Sequence, residues 1–223
     1  MIIIRPTSLA ATLDTSAEAF FYHNPIPAAQ REEIASMIIS RQSLSGMNAG
    51  FFIPFTAESE TRVRLFSGEY LSTDFARAHI HLIEAIRILK LLCLDSHAVS
   101  QSILTADRRM EKMCYSKFCA KGECKALTVA YLRYLVLDSS GNVDESIKYF
   151  LTNLAGHRDG KGKWSGFPFY FILLMLSELD NPLATQELQY AVPACEKQQA
   201  HTLPADPIAK RRQAIIASAL ARR

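Results

Sequence analysis

The sequence predicts an all-α protein of stacked helical hairpins, and three observations carry that prediction. Apolar residues recur at three- and four-residue spacing over long stretches, the pattern of a helix face. Nine Gly and nine Pro in 223 residues are too few turn-formers for many short strands. A polar helix, a glycine-containing turn and an apolar helix follow one another three times, at a period of roughly 40 to 50 residues that suits helical solenoids and toroids.

The elements follow in order. Residues 8–22 form a weak helix that ends at the breaker Asn24, Pro25, Ile26, Pro27. Residues 27–41 make an amphipathic, outward-facing helix, with Ile34, Met37 and Ile38 on one side and Glu32 and Glu33 in its first turn, where the helix dipole favours acids. Residues 42–72 mix Gly46, Gly50, Pro54 and Gly68 with aromatic residues. That composition reads as a long structured connection with a short helix at residues 58–66, and loops of this length are usually functional. Thr73 and Asp74 cap a helix at residues 75–94. It carries two apolar stripes, Phe75, Ala78, Leu82, Ile86 and Leu89 on one side and Ile80, Ile83, Ile88 and Leu91 on another, which marks an inner helix.

The second unit pairs a charged amphipathic helix at residues 97–118 with an apolar one at 124–137, joined through Lys121, Gly122 and Glu123. The third pairs residues 144–154 with 167–179 across the basic turn His157 to Lys163. A weaker unit spans residues 184–196, and a basic helix at residues 208–222 closes the chain. The expected organisation is one domain over residues 1–223, with an extension at 1–26 and hairpin units at 27–94, 97–139, 143–180 and 184–223.

Composition narrows the function classes. Apolar residues make up 49% and charged residues 21%, with a net charge of +3. These values fit a globular fold and argue against nucleic acid as the main partner. The uncharged stretch at residues 164–177 is shorter than the roughly 20 residues of a membrane span. Five Cys without a secretory apolar core after Met1 lead us to expect a reduced, cytoplasmic protein.

Ser40, Arg41 and Gln42 followed by a glycine-rich aromatic stretch, and an inner helix bearing Glu84 and Ala85, resemble repeats of the prenyltransferase and squalene-cyclase (terpenoid cyclase) superfamily. His157 to Trp164 followed by Phe169 and Tyr170 resembles that superfamily's Gln-and-Trp turn with the Gln replaced. The resemblance spans residues 27–179. It implies a partial α/α toroid or α-α superhelix in which inner helices surround a cavity. The superfamily's Asp-rich acid motif and its acidic, Cys and His zinc ligands have no match here, so the resemblance implies no activity.

Candidate chemistry is sparse. Arg77, His81 and Glu84 share one strip of the inner helix at i, i+4 and i+7. With Arg133, Tyr170 and Glu178 from other inner helices they form a candidate ligand site, in which His81 and Glu84 are the residues able to act as acid or base. The alternative is a set of ion pairs between helix layers. His157, Arg158, Lys161 and Lys163 form a candidate anion site, or else a solvated turn. Cys114, Cys119 and Cys124 follow C-x4-C-x4-C; at about 100° per residue Cys114 and Cys119 lie on different faces of a helix, and we read them as structural thiols with no metal, the alternative being Zn²⁺ or a cluster with a fourth ligand from His97 or His157. No cofactor is expected. The leading function is a helical-repeat binding protein for a small apolar ligand or a protein partner. The alternatives are an isoprenoid- or other apolar-substrate enzyme, and nucleic-acid binding through the basic turn with Lys210, Arg211, Arg212, Arg222 and Arg223.

Overall fold

The computed structural model describes residues 3–58, 63–137, 143–201 and 206–223. Among these the chain is all-α: α1 (Leu9–Phe21), α2 (Ala28–Ser40), α3 (Asp74–Leu91), α4 (His97–Met110), α5 (Cys124–Leu135), α6 (Val143–Ala155), α7 (Phe169–Glu178), α8 (Pro182–His201) and α9 (Pro207–Ala221). Three short 3-10 turns, Gly46–Asn48, Thr56–Glu58 and Cys114–Lys117, punctuate it. No described helix is long and apolar enough to cross a membrane.

The chain divides into two compact units. In the first, residues 1–66 and 70–117, α3 packs against α1, α2 and α4, and α2 also packs on α4. The Thr73 hydroxyl accepts from the Ala76 amide to start α3, as its position before the apolar stripe predicts. The interior positions Leu82, Ile83, Ala85, Ile86 and Ile88 are fully buried. Phe75 and Ala78, read from the sequence as core positions, are exposed, whereas Ala76, His79 and Ile80 are buried, so the packed face of α3 begins between the two expected positions.

In the second unit, residues 67–69 and 118–223, α7 is the centre and packs against α5, α8 and α9. Seven consecutive residues, Phe171 to Ser177, are buried. A helix without a polar face has to be enclosed in this way. The Asp206 carboxylate accepts from the Ala209 amide and Pro207 sits in the first turn, so α9 begins with a pre-set φ and a capped amide.

Two elements differ from the sequence expectation. The helix expected over residues 97–118 stops at Met110. There the Ser116 hydroxyl donates to the Met113 carbonyl at 2.7 Å and to the Glu111 carbonyl at 3.3 Å, and such local side-chain bonds compete with the helical ladder. Of the helix expected at 58–66, Glu58 ends the 3-10 turn Thr56–Glu58 and the described residues 63–66 are not helical. Residues 63–65 run as extended chain into a turn at Phe66, and there the Leu71 amide donates to the Val63 carbonyl and Arg64 bridges Tyr70. Residues 59–62 lie outside the described residues.

Candidate functional site

The first unit holds a cavity of about 480 Å³ between α1, α3 and residues 63–66 of the connection. Leu13 and Ala17 of α1, Leu65 and Phe66 of the connection, and Ile80 of α3 supply apolar walls. His81 and Glu84 reach the same cavity, as do Asp14, Glu58 and Arg64. The spacing of three on α3 places His81 and Glu84 on one strip, as the sequence predicts.

Glu58 fixes this region. One carboxylate oxygen accepts from the Ser8 hydroxyl at 2.6 Å and the Ala10 amide at 2.9 Å; the other accepts from the Leu9 amide at 2.8 Å and the Phe55 amide at 2.9 Å. The carboxylate thereby satisfies the first amides of α1, which have no partner inside the helix, and its charge faces the positive end of the helix dipole. Burial alone would push its pKa up, but the bonds from Ser8, Phe55, Leu9 and Ala10 outweigh burial and hold it below the ordinary carboxylate value.

His81 is the opposite case. It is only 6% exposed, and both ring nitrogens are themselves buried, with no hydrogen-bond partner among the described residues. Burial lowers its pKa below the ordinary histidine value, against a smaller upward pull from the Glu58 charge. A neutral ring presents one N–H and one lone pair. Glu84 is half-buried and lies 4.0 Å from Arg87.

The other expected site residues fall elsewhere. Arg77 is on the same helix but pairs with Asp74 in the first turn and does not line the cavity. Arg133 of α5 donates twice to Glu178 of α7, Nε to Oε2 and Nη2 to Oε1, each at 2.8 Å, and lies over the Phe171 ring at 5.1 Å. Such a bidentate pair is the ion-pair alternative entertained from the sequence. Tyr170 donates to Gln198 at 3.2 Å, its ring covered by Arg212, and burial raises its pKa.

The basic turn is tied to α8. Arg158 donates to both Glu187 oxygens, at 2.8 and 3.2 Å, and the Trp164 indole N–H donates to Glu187 at 2.8 Å. Asp159 accepts from the Lys163 and Lys161 amides, which together hold its pKa down. Tyr190 donates to Asp159 at 3.0 Å and accepts from the Gly160 amide at 2.9 Å. Gly162, at φ +85°, brings its backbone close to α8: a Cβ there would lie 2.9 Å from that of Ala194. His157 stacks edge-on against Phe167, and the Lys163 ammonium lies 5.0 Å from the centre of the Phe169 ring. Lys161 is exposed.

Cys114 opens a 3-10 turn and Cys124 begins α5, so a helix-face argument does not apply to them. Among the described residues they form, with Cys119, the one group of three or more His, Cys, Asp or Glu side chains whose ligand atoms converge, within 4.8 Å. The ligand atoms of His81, Glu58 and Glu84 do not converge in that way.

Sequence reasoning missed Glu58, Asp14 and Glu187. Nothing local distinguishes Glu58 from other acids of a polar connection; its role depends on α1, about fifty positions earlier. Comparisons with protein-family models, curated proteins and solved structures give no match.

Proposed function

We propose that this chain is a helical binding protein whose ligand is a small, mainly apolar molecule held in the cavity of the first unit. The observation that carries the reading is the cavity itself. At about 480 Å³ it is of ligand size, with apolar walls from three segments and a few polar groups, Asp14, Arg64 and Glu84 among them, on its lining. Pockets for small molecules combine these features: mostly apolar lining with a few polar groups that orient the ligand.

The same geometry weakens the alternatives. Isoprenoid diphosphate chemistry needs cations at the site, whereas Asp14, Glu58 and Glu84 line the cavity with Arg64 as the only Arg or Lys among its described lining residues. In the basic turn the Arg158 guanidinium is engaged by Glu187. Nucleic-acid binding through α9 is similarly weakened. Arg211 is buried, Arg212 donates to the Ser67 carbonyl, Arg222 donates to the Ser177 carbonyl, and Arg223 pairs with Glu196. The polar α6, the folded-back turn and the apolar α7 keep the hairpin order of the prenyltransferase and cyclase superfamily, and we carry that resemblance forward within this proposal.

Equilibrium dialysis of naphthalene tests the reading. The wild type is expected to bind about one equivalent, and Ala11→Trp, which fills the cavity from a half-buried position on α1, is expected to abolish binding while circular dichroism stays unchanged. Absence of binding to the wild type, or equal binding by a folded Ala11→Trp variant, would overturn it.

A further inference from the structure

We infer that Cys114, Cys119 and Cys124 bind one thiophilic metal ion, of the Zn²⁺ or Cu⁺ kind, through three thiolates. The inference is independent of the ligand cavity and of the proposed binding function.

The site is built by a single stretch of eleven consecutive residues, 114–124, between α4 and α5. Cys114 opens the 3-10 turn Cys114–Lys117, and Cys124 is the first residue of α5. Two left-handed residues fold the chain between them. Phe118, at φ +57°, turns it just ahead of Cys119, and Gly122, at φ +49°, turns it again before Cys124. Hydrogen bonds then hold the fold of the stretch: the Thr128 hydroxyl, one turn into α5, donates to the Cys119 carbonyl at 2.9 Å, and the Cys124 amide donates to the Lys121 carbonyl at 3.0 Å. As a result the three sulfurs lie within 4.8 Å of one another. At a Zn–S bond of about 2.3 Å the sulfurs of a tetrahedral site are about 3.8 Å apart, so side-chain rotation is enough to close the remaining gap.

Three observations favour a metal ion over plain thiols. First, a structural Cys is a small hydrophobe of the core. Cys114 is exposed, while Cys119 and Cys124 are half-buried, so apolar packing does not account for their meeting. The exposure also leaves an entry path for an ion. Second, the number is odd. A disulfide would join two sulfurs and leave the third, whereas one metal ion engages all three. Third, three thiolates repel one another, and a cation among them relieves that repulsion. Lys112, Lys117, Lys121 and Lys125 lie along the same stretch, against Glu111 and Glu123, and their excess positive charge favours an anionic metal–thiolate centre.

The ligand set also defines the ion. Thiolates select Zn²⁺ and Cu⁺, whereas Mg²⁺ and Ca²⁺ take oxygen ligands. Among the described residues no fourth His, Cys, Asp or Glu joins the group. Cu⁺ would be held by the three sulfurs alone, and Zn²⁺ would keep its fourth tetrahedral position for water or another small donor.

The test uses the full chain, reduced and freed of metal by a chelator, and titrated anaerobically with Zn²⁺, Cu⁺ and Mg²⁺ in turn against a chromophoric competitor. The expected result is about one equivalent of Zn²⁺ or Cu⁺ and no Mg²⁺, the tighter of the two identifying the ion. Iodoacetamide mapping should show Cys114, Cys119 and Cys124 protected together by the bound ion, with Cys93 alkylated as before. Cys119→Ser should weaken binding by more than the roughly 10–100-fold that loss of a residue supporting a ligand costs, and Cys93→Ser should leave it unchanged. Absence of binding, protection of fewer than all three cysteines, or equal binding by Cys119→Ser would overturn the inference. The titration and the mapping need only the wild type, so they decide the matter even where a variant fails to fold.

Discussion

Replacing Glu58 by Ala is the most informative single perturbation of the cavity wall. The side chain is 8% exposed and accepts four hydrogen bonds, three from backbone amides and one from the Ser8 hydroxyl. A hydrogen bond to a charged group contributes about 1.5–3 kcal/mol net, and the contributions of one cluster do not add in full. The Leu9 amide is buried and would lose its partner, while the Ala10 and Phe55 amides are half-buried and would recover water in part. We therefore expect Glu58→Ala to cost about 3–5 kcal/mol in urea unfolding at pH 7. Glu58→Gln should cost less, about 2 kcal/mol, because its amide NH2 faces donors where one carboxylate oxygen accepted. The linkage to pH has a definite sign. Since the folded pKa lies below the unfolded value near 4.5, this carboxylate stabilises above pH 4.5, and the contribution is lost as pH falls through the folded value. A loss under about 1 kcal/mol for Glu58→Ala would refute the claim that Glu58 fastens α1 to the connection.

Three further outcomes follow from the geometry. His79 is buried, its Nδ1 is 2.9 Å from the Tyr115 hydroxyl, and burial with the nearby Arg109 lowers its pKa from 6.5 to about 4. Its neutral form is favoured on folding, so its contribution is complete above pH 6.5 and is lost between pH 6.5 and about 4, by about 3 kcal/mol in all. Urea titrations across that range should show the fall, and His79→Phe should flatten it. Trp164→Phe removes the indole bond to Glu187 while Arg158 still holds that carboxylate, and thermal unfolding should report a loss of about 1–2 kcal/mol. Burial and the neighbouring Glu196 raise the pKa of Cys195 to about 11. Iodoacetamide mapped by mass spectrometry at pH 8 should therefore modify the exposed Cys93 rapidly and Cys195 only after denaturation.

The helices were legible because their signals are local. Thr73 ahead of an apolar stripe announced the start of α3, and the run of apolar residues in α7 announced a buried helix. Residues 97–118 were read as one helix because their composition stays helical past Met110, whereas the Ser116 hydroxyl bonds that help end it are a matter of geometry. The site was half legible. His81 and Glu84 share a strip that any helix of this sequence would create. Their wall partners come from α1 and from residues 63–66, and the latter reads as helix from composition yet is not helical beside Tyr70. Grouping Arg133 and Glu178 with His81 followed from their shared polarity. Their bidentate bond depends on how α5 and α7 pack, which periodicity does not encode.

The central claim is that the cavity of the first unit holds a small, mainly apolar molecule. The most direct measurement is the set of methyl NMR shifts of Leu13, Ala17, Leu65 and Ile80, recorded at pH 7 with and without naphthalene. These methyls are expected to shift together and to saturate with naphthalene, while methyls of the second unit stay in place. Saturable binding that leaves these methyls unmoved, or no binding at all, would contradict the claim.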